Sequence, residues 1–158
     1  ISPKKILEIG TYTGYSAICL CEGMDKDGIL HTIDNNKELV EIQNKYFKKA
    51  NLTDKIVQHS GDAKNIIPTI EEEFDIVFID ADKESYPEYY DLIINKVRTG
   101  GIIIADNILW SGKILEKVEK DDQATKSIIE FNNKIIEDDR VKNIILPIRD
   151  GLNIVRKN

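Results

Sequence analysis

The stretch that decides the fold runs from Lys5 to Ser16 and reads KILEIGTYTGYS. Its first five residues are mostly apolar, which is typical of a buried strand in a parallel sheet. Gly10 follows, then polar residues, Gly14 and an apolar helical pattern that begins at Ser16. Glycine at a strand-to-helix turn lets the backbone approach a ligand closely, and the helix N-terminus behind it offers free N–H groups. We therefore predict the first ligand-binding crevice of a doubly wound α/β sheet at this turn.

The spacing of the glycines separates the possible nucleotide-like ligands. A dinucleotide-binding turn reads Gly-x-Gly-x-x-Gly, whereas three residues separate Gly10 from Gly14 and no third glycine follows in register. Glu8 adds a carboxylate near the strand end, where it would repel a pyrophosphate but attract a sulfonium and an ammonium group. The pattern resembles the first motif of S-adenosylmethionine-dependent methyltransferases. A glycine turn in another kind of α/β protein is the alternative.

Composition limits the classes of protein to consider. The chain has 158 residues, of which 41% are hydrophobic, so residues 1–158 are expected to form one domain with a substantial core. Its net charge of -6 disfavours nonspecific nucleic-acid binding, and no apolar stretch or signal peptide indicates a membrane. Cys19 and Cys21 should point to different sides of a helix, which predicts reduced thiols in a cytoplasmic protein. Because the first strand begins almost at Ile1, we expect an N-terminal segment to be missing.

Strand and helix patterns alternate along the chain, which predicts a mostly parallel, seven-stranded sheet covered on both faces. The predicted strands are 5–10, 28–34, 56–60, 74–80, 102–106, 141–148 and 152–156. The predicted helices are 14–24, 36–50, a short one at Pro68, 86–98 ending at Gly100-Gly101, and 122–138. The fourth strand is the most apolar and should be central, and the last two strands should form an antiparallel hairpin through Asp150-Gly151. In the second helix, the predicted apolar face contains Leu39, Ile42, Tyr46 and Phe47.

Acidic residues end three of the predicted strands, at Asp34, Asp80 and Asp106. Because the carboxyl ends of parallel strands line the ligand crevice, these acids should converge there. Asp34 is placed to accept hydrogen bonds from the hydroxyls of an adenosine ribose, with a turn-capping role as the alternative. Asp62 and Ala63 are placed to close over an adenine, although a helix N-cap explains Asp62 equally well.

The ends of the fourth and fifth strands predict a metal site. Asp80, Asp106 and Asn107 would together present two carboxylates and an amide oxygen. Such an all-oxygen half-shell suits Mg²⁺ or another hard divalent cation such as Mn²⁺ or Ca²⁺. Zinc is disfavoured because neither His31 nor His59 has a partner at ligand spacing, and both are interpreted as structural.

Four ordered stretches, 8–16, 80–86, 106–112 and 146–151, read EIGTYTGYS, DADKESY, DNILWSG and LPIRDG. Together they resemble the cation-dependent O-methyltransferases, the family of the caffeoyl-CoA and catechol O-methyltransferases. The resemblance implies a Rossmann-like methyltransferase fold and an S-adenosylmethionine cofactor. It also implies a divalent cation and a homodimer.

The resemblance further implies roles for individual residues. Asp80, Asp106 and Asn107 would hold the metal, Lys83 would be the catalytic base, and Trp110 would border the substrate. The role of Asp82, close to both metal and cofactor in the family, is left open. The implied cofactor-binding residues are Glu8, Gly10, Tyr12, Gly14, Ser16, Asp34, Asp62, Ala63 and Asp80.

These roles predict a metal-dependent O-methyltransferase that acts on a vicinal-diol small molecule of catechol or caffeoyl type. One alternative is a tRNA methyltransferase that modifies 5-hydroxyuridine at the wobble position, although the acidic balance and the Trp110 loop favour a small aromatic acceptor. A second alternative is a non-catalytic cofactor-binding or interaction module. Arg149 departs from the small or neutral residues common in relatives, and it faces either an anionic substrate group or solvent.

Overall fold

Seven strands form a single sheet in the computed structural model, which describes residues 1–158. In chain order they are β1 (Lys5–Ile9), β2 (Ile29–Asp34), β3 (Ile56–Ser60), β4 (Phe74–Ile79), β5 (Val97–Asp106), β6 (Val141–Leu146) and β7 (Leu152–Lys157). Their order in the sheet is β3-β2-β1-β4-β5-β7-β6, with the first five parallel and the last two antiparallel. The predicted doubly wound, mostly parallel α/β fold with a terminal antiparallel hairpin is confirmed, and β4 is central.

Five α-helices connect these strands. They are α1 (Tyr15–Glu22), α2 (Val40–Lys49), α3 (Ala63–Ile66), α4 (Tyr86–Ile93) and α5 (Gln123–Glu137). Short 3₁₀ turns at 37–39, 67–69, 83–85 and 110–115 complete the connections. None of these helices combines the length and the apolar character that a bilayer crossing requires. Cys19 is exposed and Cys21 is buried, and both are free thiols.

The sheet is covered on both faces only in part. One face packs against α3, α4 and α5 in a single large cluster that includes Val77, Ile103 and Phe131. On the other face, α1 and α2 cover the start of β1, β2 and β3. The residues that alternate with the buried ones in β4, β5, β7 and β6 stay partly exposed, up to 58% for Ile144. The prediction of cover on both faces is therefore correct for β1, β2 and β3. It is wrong for β4, β5, β6 and β7, whose second face stays partly exposed.

The helix predicted over residues 86–98 is shorter, and the fifth strand is longer, than the sequence pattern indicates. α4 ends at Ile93, and the chain rejoins the sheet at Val97. The pairing of β4 with β5 shifts register between Phe74 and Ile76, so the residues before Ile102 form a bulge. Gly100 has a φ of 76° in this bulge. The glycine pair interpreted as a helix end is thus part of an irregular strand.

The apolar face predicted for the second helix is also rotated. Ile42 and Tyr46 are 39% and 42% exposed, whereas Gln43 and Phe47 are buried. The Gln43 side-chain amide donates to the Tyr12 carbonyl oxygen at 2.6 Å, which satisfies a polar group in the interior. Gln43 therefore faces the interior, where its hydrogen bond fixes the loop after β1.

Candidate active site

The carboxyl ends of β1 to β4 open into one cleft of about 610 Å³. It is lined by residues that follow each of these strands, as expected for the crevice of a doubly wound sheet. Six of the predicted cofactor-binding residues line it: Gly10, Tyr12, Asp34, Asp62, Ala63 and Asp80. Glu8, Gly14 and Ser16 are not on its wall.

Gly10 closes the end of β1 against the end of β4. Its φ is 103°, and a Cβ added there would lie 2.1 Å from the Asp80 carbonyl oxygen. The Gly10 N–H donates to the Ile33 carbonyl oxygen at 2.9 Å, and the Asp80 N–H donates to the Ile9 carbonyl oxygen at 2.9 Å. Only glycine fits this conformation and this contact, so the strand ends that form the cleft floor depend on it.

Asp34 organises the neighbouring loops as well as lining the cleft. Its carboxylate accepts hydrogen bonds from the backbone N–H groups of Tyr12 at 2.7 Å and Asn36 at 2.8 Å. It is therefore a turn-capping residue, the alternative raised from the sequence. Carboxylate oxygens have lone pairs beyond these two bonds, so capping and acceptance of ribose hydroxyls are compatible.

Asp62 likewise caps a helix at the cleft. Its side chain accepts from the Lys64 N–H at 2.9 Å and begins α3, while Ala63 is buried beside it. Both residues remain on the cleft wall. Asp62 is therefore an N-cap, and its place on the cleft wall is compatible with the predicted contact with a ligand base.

Glu8 is a fully buried acid two residues before Gly10. The Thr32 hydroxyl donates to its Oε2 at 2.5 Å, whereas its Oε1 has no hydrogen-bond partner. Burial raises the pKa of Glu8 to about 7, although the hydroxyls of Ser16 and Thr32 act in the opposite direction. A buried carboxylate with an unsatisfied oxygen fits a cationic ligand nearby, since a positive charge would favour its ionised form.

Gly14 and Ser16 support the cleft from outside it. Gly14 has a φ of 86°, and a Cβ there would lie 2.6 Å from the Phe47 ring. The close packing of the start of α1 against α2 therefore explains why residue 14 is a glycine. Ser16 lies in the first turn of α1 and is close enough to Glu8 to lower the pKa of that acid.

Lys83 lies at the junction of β4 and β5. Its Nζ is 3.1 Å from Asp80 Oδ1 and donates to the Tyr86 hydroxyl at 2.6 Å, and its side chain is only 9% exposed. The Tyr86 hydroxyl lies 2.9 Å from the Asp106 carbonyl oxygen and 3.2 Å from that of Ile79. Lys83 is thus held between the ends of two neighbouring strands.

Tyr86 ends the stretch DADKESY, and the sequence alone indicated no role for it. The residue is fully buried, and burial together with nearby acids holds its pKa far above the usual value. A neutral hydroxyl therefore links Lys83 to both strand ends. The sequence signal for this contact is the spacing of three residues between Lys83 and Tyr86, because residues three apart share one face of a helix.

Asp82 is placed as a capping residue. Its carboxylate accepts from the Ser85 N–H at 3.1 Å and from the Tyr89 hydroxyl at 2.6 Å. Partial burial would raise the pKa of Asp82, but these hydrogen bonds leave it below its usual value. Asp82 also lines the cleft, so it fixes the turn that carries Lys83 at the cleft edge.

The predicted metal ligands lie at adjacent strand ends. Asp80 follows β4 and Asp106 ends β5, which pairs with β4, and both acids act on the pKa of Tyr86 between them. Asp106 Oδ1 accepts from the Asn107 N–H at 2.7 Å, and Asn107 has a φ of 62°. No group of three or more His, Cys, Asp or Glu side chains is placed to bind a metal. Two carboxylates and an amide nevertheless fit a hard cation that keeps water or substrate ligands.

Trp110 lies in the loop after β5, beside Asp106 and Asn107. Trp110, Ser111 and Gly112 all have positive φ values, of 48°, 54° and 81°. The indole Nε1 is buried and has no hydrogen-bond partner. The residue predicted to border the substrate is therefore next to the predicted metal ligands, in a strained loop.

The two histidines lie elsewhere in the sheet. His31 Nδ1 is 3.0 Å from His59 Nε2, and the rings are stacked with centroids 5.3 Å apart. Burial lowers the pKa of both. Their pairing gives them a structural explanation, as interpreted from the sequence, although strand spacing alone did not reveal the contact.

A model of the O-methyltransferase family matches residues 1–158. The chain belongs to this family. Among curated relatives, tricin synthase 2 of Oryza sativa subsp. japonica is 33% identical over 98% of this chain and 56% of its own length. Caffeoyl-CoA O-methyltransferase 1 of Zea mays is 34% identical over 99% of this chain and 65% of its own length.

Solved structures agree with this membership of the O-methyltransferase family. The O-methyltransferase of Bacillus cereus in complex with SAH has a TM-score of 0.93 and 30% identity, over 99% of this chain and 75% of that one. TomG of Streptomyces achromogenes, in complex with SAM, has a TM-score of 0.92 and 28% identity, over 99% and 74%. The Rossmann-like methyltransferase fold is therefore shown. The chain spans 56% to 71% of the length of the curated relatives compared.

Replacing Glu8 by glutamine should reveal the energetic effect of the buried acid. In the folded protein the pKa of Glu8 is raised from 4.5 to about 7, so its stabilising contribution is present at low pH and lost as the pH rises through 7. The free energy of unfolding of Glu8→Gln, relative to that of the wild type, should therefore be higher at pH 8 than at pH 5 by up to roughly 3 kcal/mol. Urea denaturation at both pH values measures this difference. Exposed Glu22→Gln is the control, and an equal effect in both variants would contradict the interpretation.

Tyr86→Phe should separate the hydroxyl from the packing of the ring. The variant removes the hydroxyl from two strand-end carbonyls and leaves Lys83 with Asp80 as its remaining partner, so it should lose about 1–3 kcal/mol of stability. The control Tyr90→Phe removes only the bond to Asp138, outside the cleft, and should leave Lys83 in place. Denaturation and a methyl-transfer assay compare the two. If Tyr90→Phe lowered methyl transfer as much as Tyr86→Phe, the hydroxyl of Tyr86 would not be the group that positions Lys83.

Proposed function

We propose that the protein is an S-adenosylmethionine-dependent O-methyltransferase that methylates one hydroxyl of a vicinal-diol small molecule of catechol or caffeoyl type. The observation that carries the proposal is the double position of Asp80. Asp80 lines the acidic cleft and at the same time pairs with Lys83, which lies at the junction with β5. Asp80 therefore links the cleft to a candidate base, and a transfer reaction requires its two bound molecules to lie close together.

The cofactor half of the proposal rests on charge and hydrogen-bonding capacity. Asp34 would accept hydrogen bonds from ribose hydroxyls, and Glu8 would supply negative charge near the sulfonium and ammonium groups. Asp62 and Ala63 would lie against the adenine. The complexes of TomG with SAM and of the Bacillus cereus protein with SAH support this choice of cofactor.

The acceptor half rests on the strand ends of β4 and β5. We propose that Asp80, Asp106 and Asn107 hold a divalent cation such as Mg²⁺. When bound, the cofactor supplies the methyl group and the cation lowers the pKa of an acceptor hydroxyl. Lys83 would receive the proton at Nζ, held in place by Tyr86. Asp80 would belong both to the metal site and to the ion pair with Lys83. Occupation of the metal site would therefore leave Tyr86 as the remaining partner of the Lys83 amine.

The named relatives and the charge of the chain favour a small phenolic acceptor. Tricin synthase and caffeoyl-CoA O-methyltransferase are named for small-molecule chemistry. A tRNA acceptor would need cationic contacts to phosphates, but the net charge is -6 and the cleft edge carries several acids. A non-catalytic module would not require a largely buried lysine between Asp80 and Tyr86. A homodimer and a cytoplasmic location stay predictions of the resemblance.

Chelation tests the proposed cation. Methyl transfer from radiolabelled S-adenosylmethionine to catechol or to a caffeoyl thioester should stop in EDTA and return with Mg²⁺ or Mn²⁺. Asp106→Ala should reproduce the loss without changing affinity for S-adenosylhomocysteine, because Asp106 is not on the cleft wall. Turnover that persists in EDTA would reject the cation.

Lys83→Met should lower turnover by roughly 10²–10⁴-fold, the range for loss of a general base, with cofactor affinity unchanged. The matched control is Lys134→Met, which removes an ion-paired lysine 2.7 Å from Asp91 and outside the cleft. Equal turnover in both variants would exclude Lys83 as the base. Transfer to undermethylated tRNA, with none to catechols or caffeoyl thioesters, would reverse the order of the acceptors.

A further inference from the structure

The turn between β6 and β7 lies at the same sheet edge as the proposed metal ligands. β7 runs antiparallel to β5, with Leu152 opposite Asp106. In the hairpin, Leu146 is opposite Leu152, so residues 147–151 project from the sheet where β5 ends. The hairpin turn is therefore adjacent to the acceptor half of the proposed active site.

Hydrogen bonds hold this turn against the loop that carries Trp110. The Leu109 N–H donates to the Asp150 carbonyl oxygen at 3.0 Å, and the Ser111 N–H donates to Asp150 Oδ1 at 2.6 Å. Packing is also close, since a Cβ on Gly151 would lie 2.5 Å from the Leu109 side chain. The backbone of this turn is thus held against the loop that carries Trp110.

Arg149 occupies this turn in a backbone conformation that disfavours it. Its φ is 51°, in the left-handed region where glycine or asparagine is usual. Its side chain is exposed and forms no ion pair, whereas Lys83 and Lys113 on the same side of the sheet are each paired with an aspartate. A strained backbone and a free guanidinium beside the proposed acceptor site together make Arg149 a candidate for binding a ligand.

We propose that Arg149 determines acceptor selectivity by binding an anionic group, a carboxylate or a phosphate, that the acceptor carries away from its hydroxyls. This inference rests on the proposed O-methyltransferase function. The surrounding acids, Asp80, Asp106 and Asp150, would repel such a group, so its binding needs a dedicated cation. A guanidinium suits that role because it stays charged and binds carboxylates or phosphates through two parallel hydrogen bonds.

The test compares two acceptors that share a catechol ring and differ in charge, 3,4-dihydroxybenzoate and its neutral amide. In the wild type, the acid should have a KM roughly 10-fold to 100-fold lower than the amide, the range for a charge-assisted hydrogen bond. Arg149→Gln should bring the two KM values together, and Arg149→Lys should keep part of the preference. Arg156→Gln is the matched control, since Arg156 lies on the same hairpin opposite Ile102, at the far end.

Arg149→Gly supplies an independent readout. It should lose the preference for the acid in the same way, yet raise the melting temperature by roughly 1–4 °C, because glycine adopts the left-handed conformation without strain. A variant that merely damaged the turn would lose stability instead. Loss of acid preference together with lower stability in every Arg149 variant would overturn the proposal.

Calorimetric binding of both acceptors to protein saturated with S-adenosylhomocysteine and Mg²⁺ separates this inference from the proposed function. If the acid binds more tightly only when Arg149 is present but neither acceptor is methylated, the proposed function fails and the role of Arg149 stands. Equal binding of acid and amide to the wild type, together with equal binding of caffeoyl-CoA and its neutral analogue, overturns the role of Arg149. If the protein prefers caffeoyl-CoA over its neutral analogue but binds dihydroxybenzoate and its amide equally, the group that Arg149 binds is a phosphate.

Discussion

The contact between the backbones of Gly10 and Asp80 is the constraint on which both halves of the site depend. A Cβ at Gly10 would lie 2.1 Å from the Asp80 carbonyl oxygen, so no other residue lets the turn after β1 approach the end of β4 this closely. Backbone hydrogen bonds from Gly10 to Ile33 and from Asp80 to Ile9 complete the junction of three strands. Because Asp80 both lines the cleft and pairs with Lys83, the position of this one turn sets the distance between the cofactor cleft and the candidate base.

Glu8 is energetically unfavourable in the free protein. A buried acid with an oxygen that accepts no hydrogen bond is unfavourable, and the raised pKa of Glu8 reflects this. The hydroxyls of Thr32 and Ser16 offset the effect only in part. A cationic ligand would complete the charge balance, and ligand binding to the folded state alone stabilises it by mass action. In the proposed complex with S-adenosylmethionine, the positive charge of the cofactor would therefore offset the cost of burying Glu8.

The parts of the structure that follow from strand order could be predicted from the sequence. Asp80 and Asp106 converge because parallel strands joined by right-handed crossovers place their carboxyl ends at one edge. Features that depend on tertiary contacts could not be predicted from the sequence. Gly100 reads as a helix end but belongs to a strand bulge, because glycine serves either use. The link from the Tyr86 hydroxyl to two strand ends and the strained backbone of Arg149 leave no periodic trace, since each arises from neighbours distant in sequence.

The two halves of the site are built from different kinds of structure, and this affects how each can vary. The proposed cofactor cleft is formed by turns between parallel strands, where Gly10 and the loop hydrogen bonds of Asp34 restrict substitution. The proposed acceptor side is formed by a hairpin turn and a loop in which Asn107, Trp110 and Arg149 all have positive φ values. Strain of this kind persists only where surrounding contacts fix it, as the bonds to the hairpin turn do for the loop after β5. Side chains of the turn can therefore change without disturbing the cleft. Relatives that match nearly the whole of this chain but carry different names, such as tricin synthase 2 and caffeoyl-CoA O-methyltransferase 1, agree with that separation.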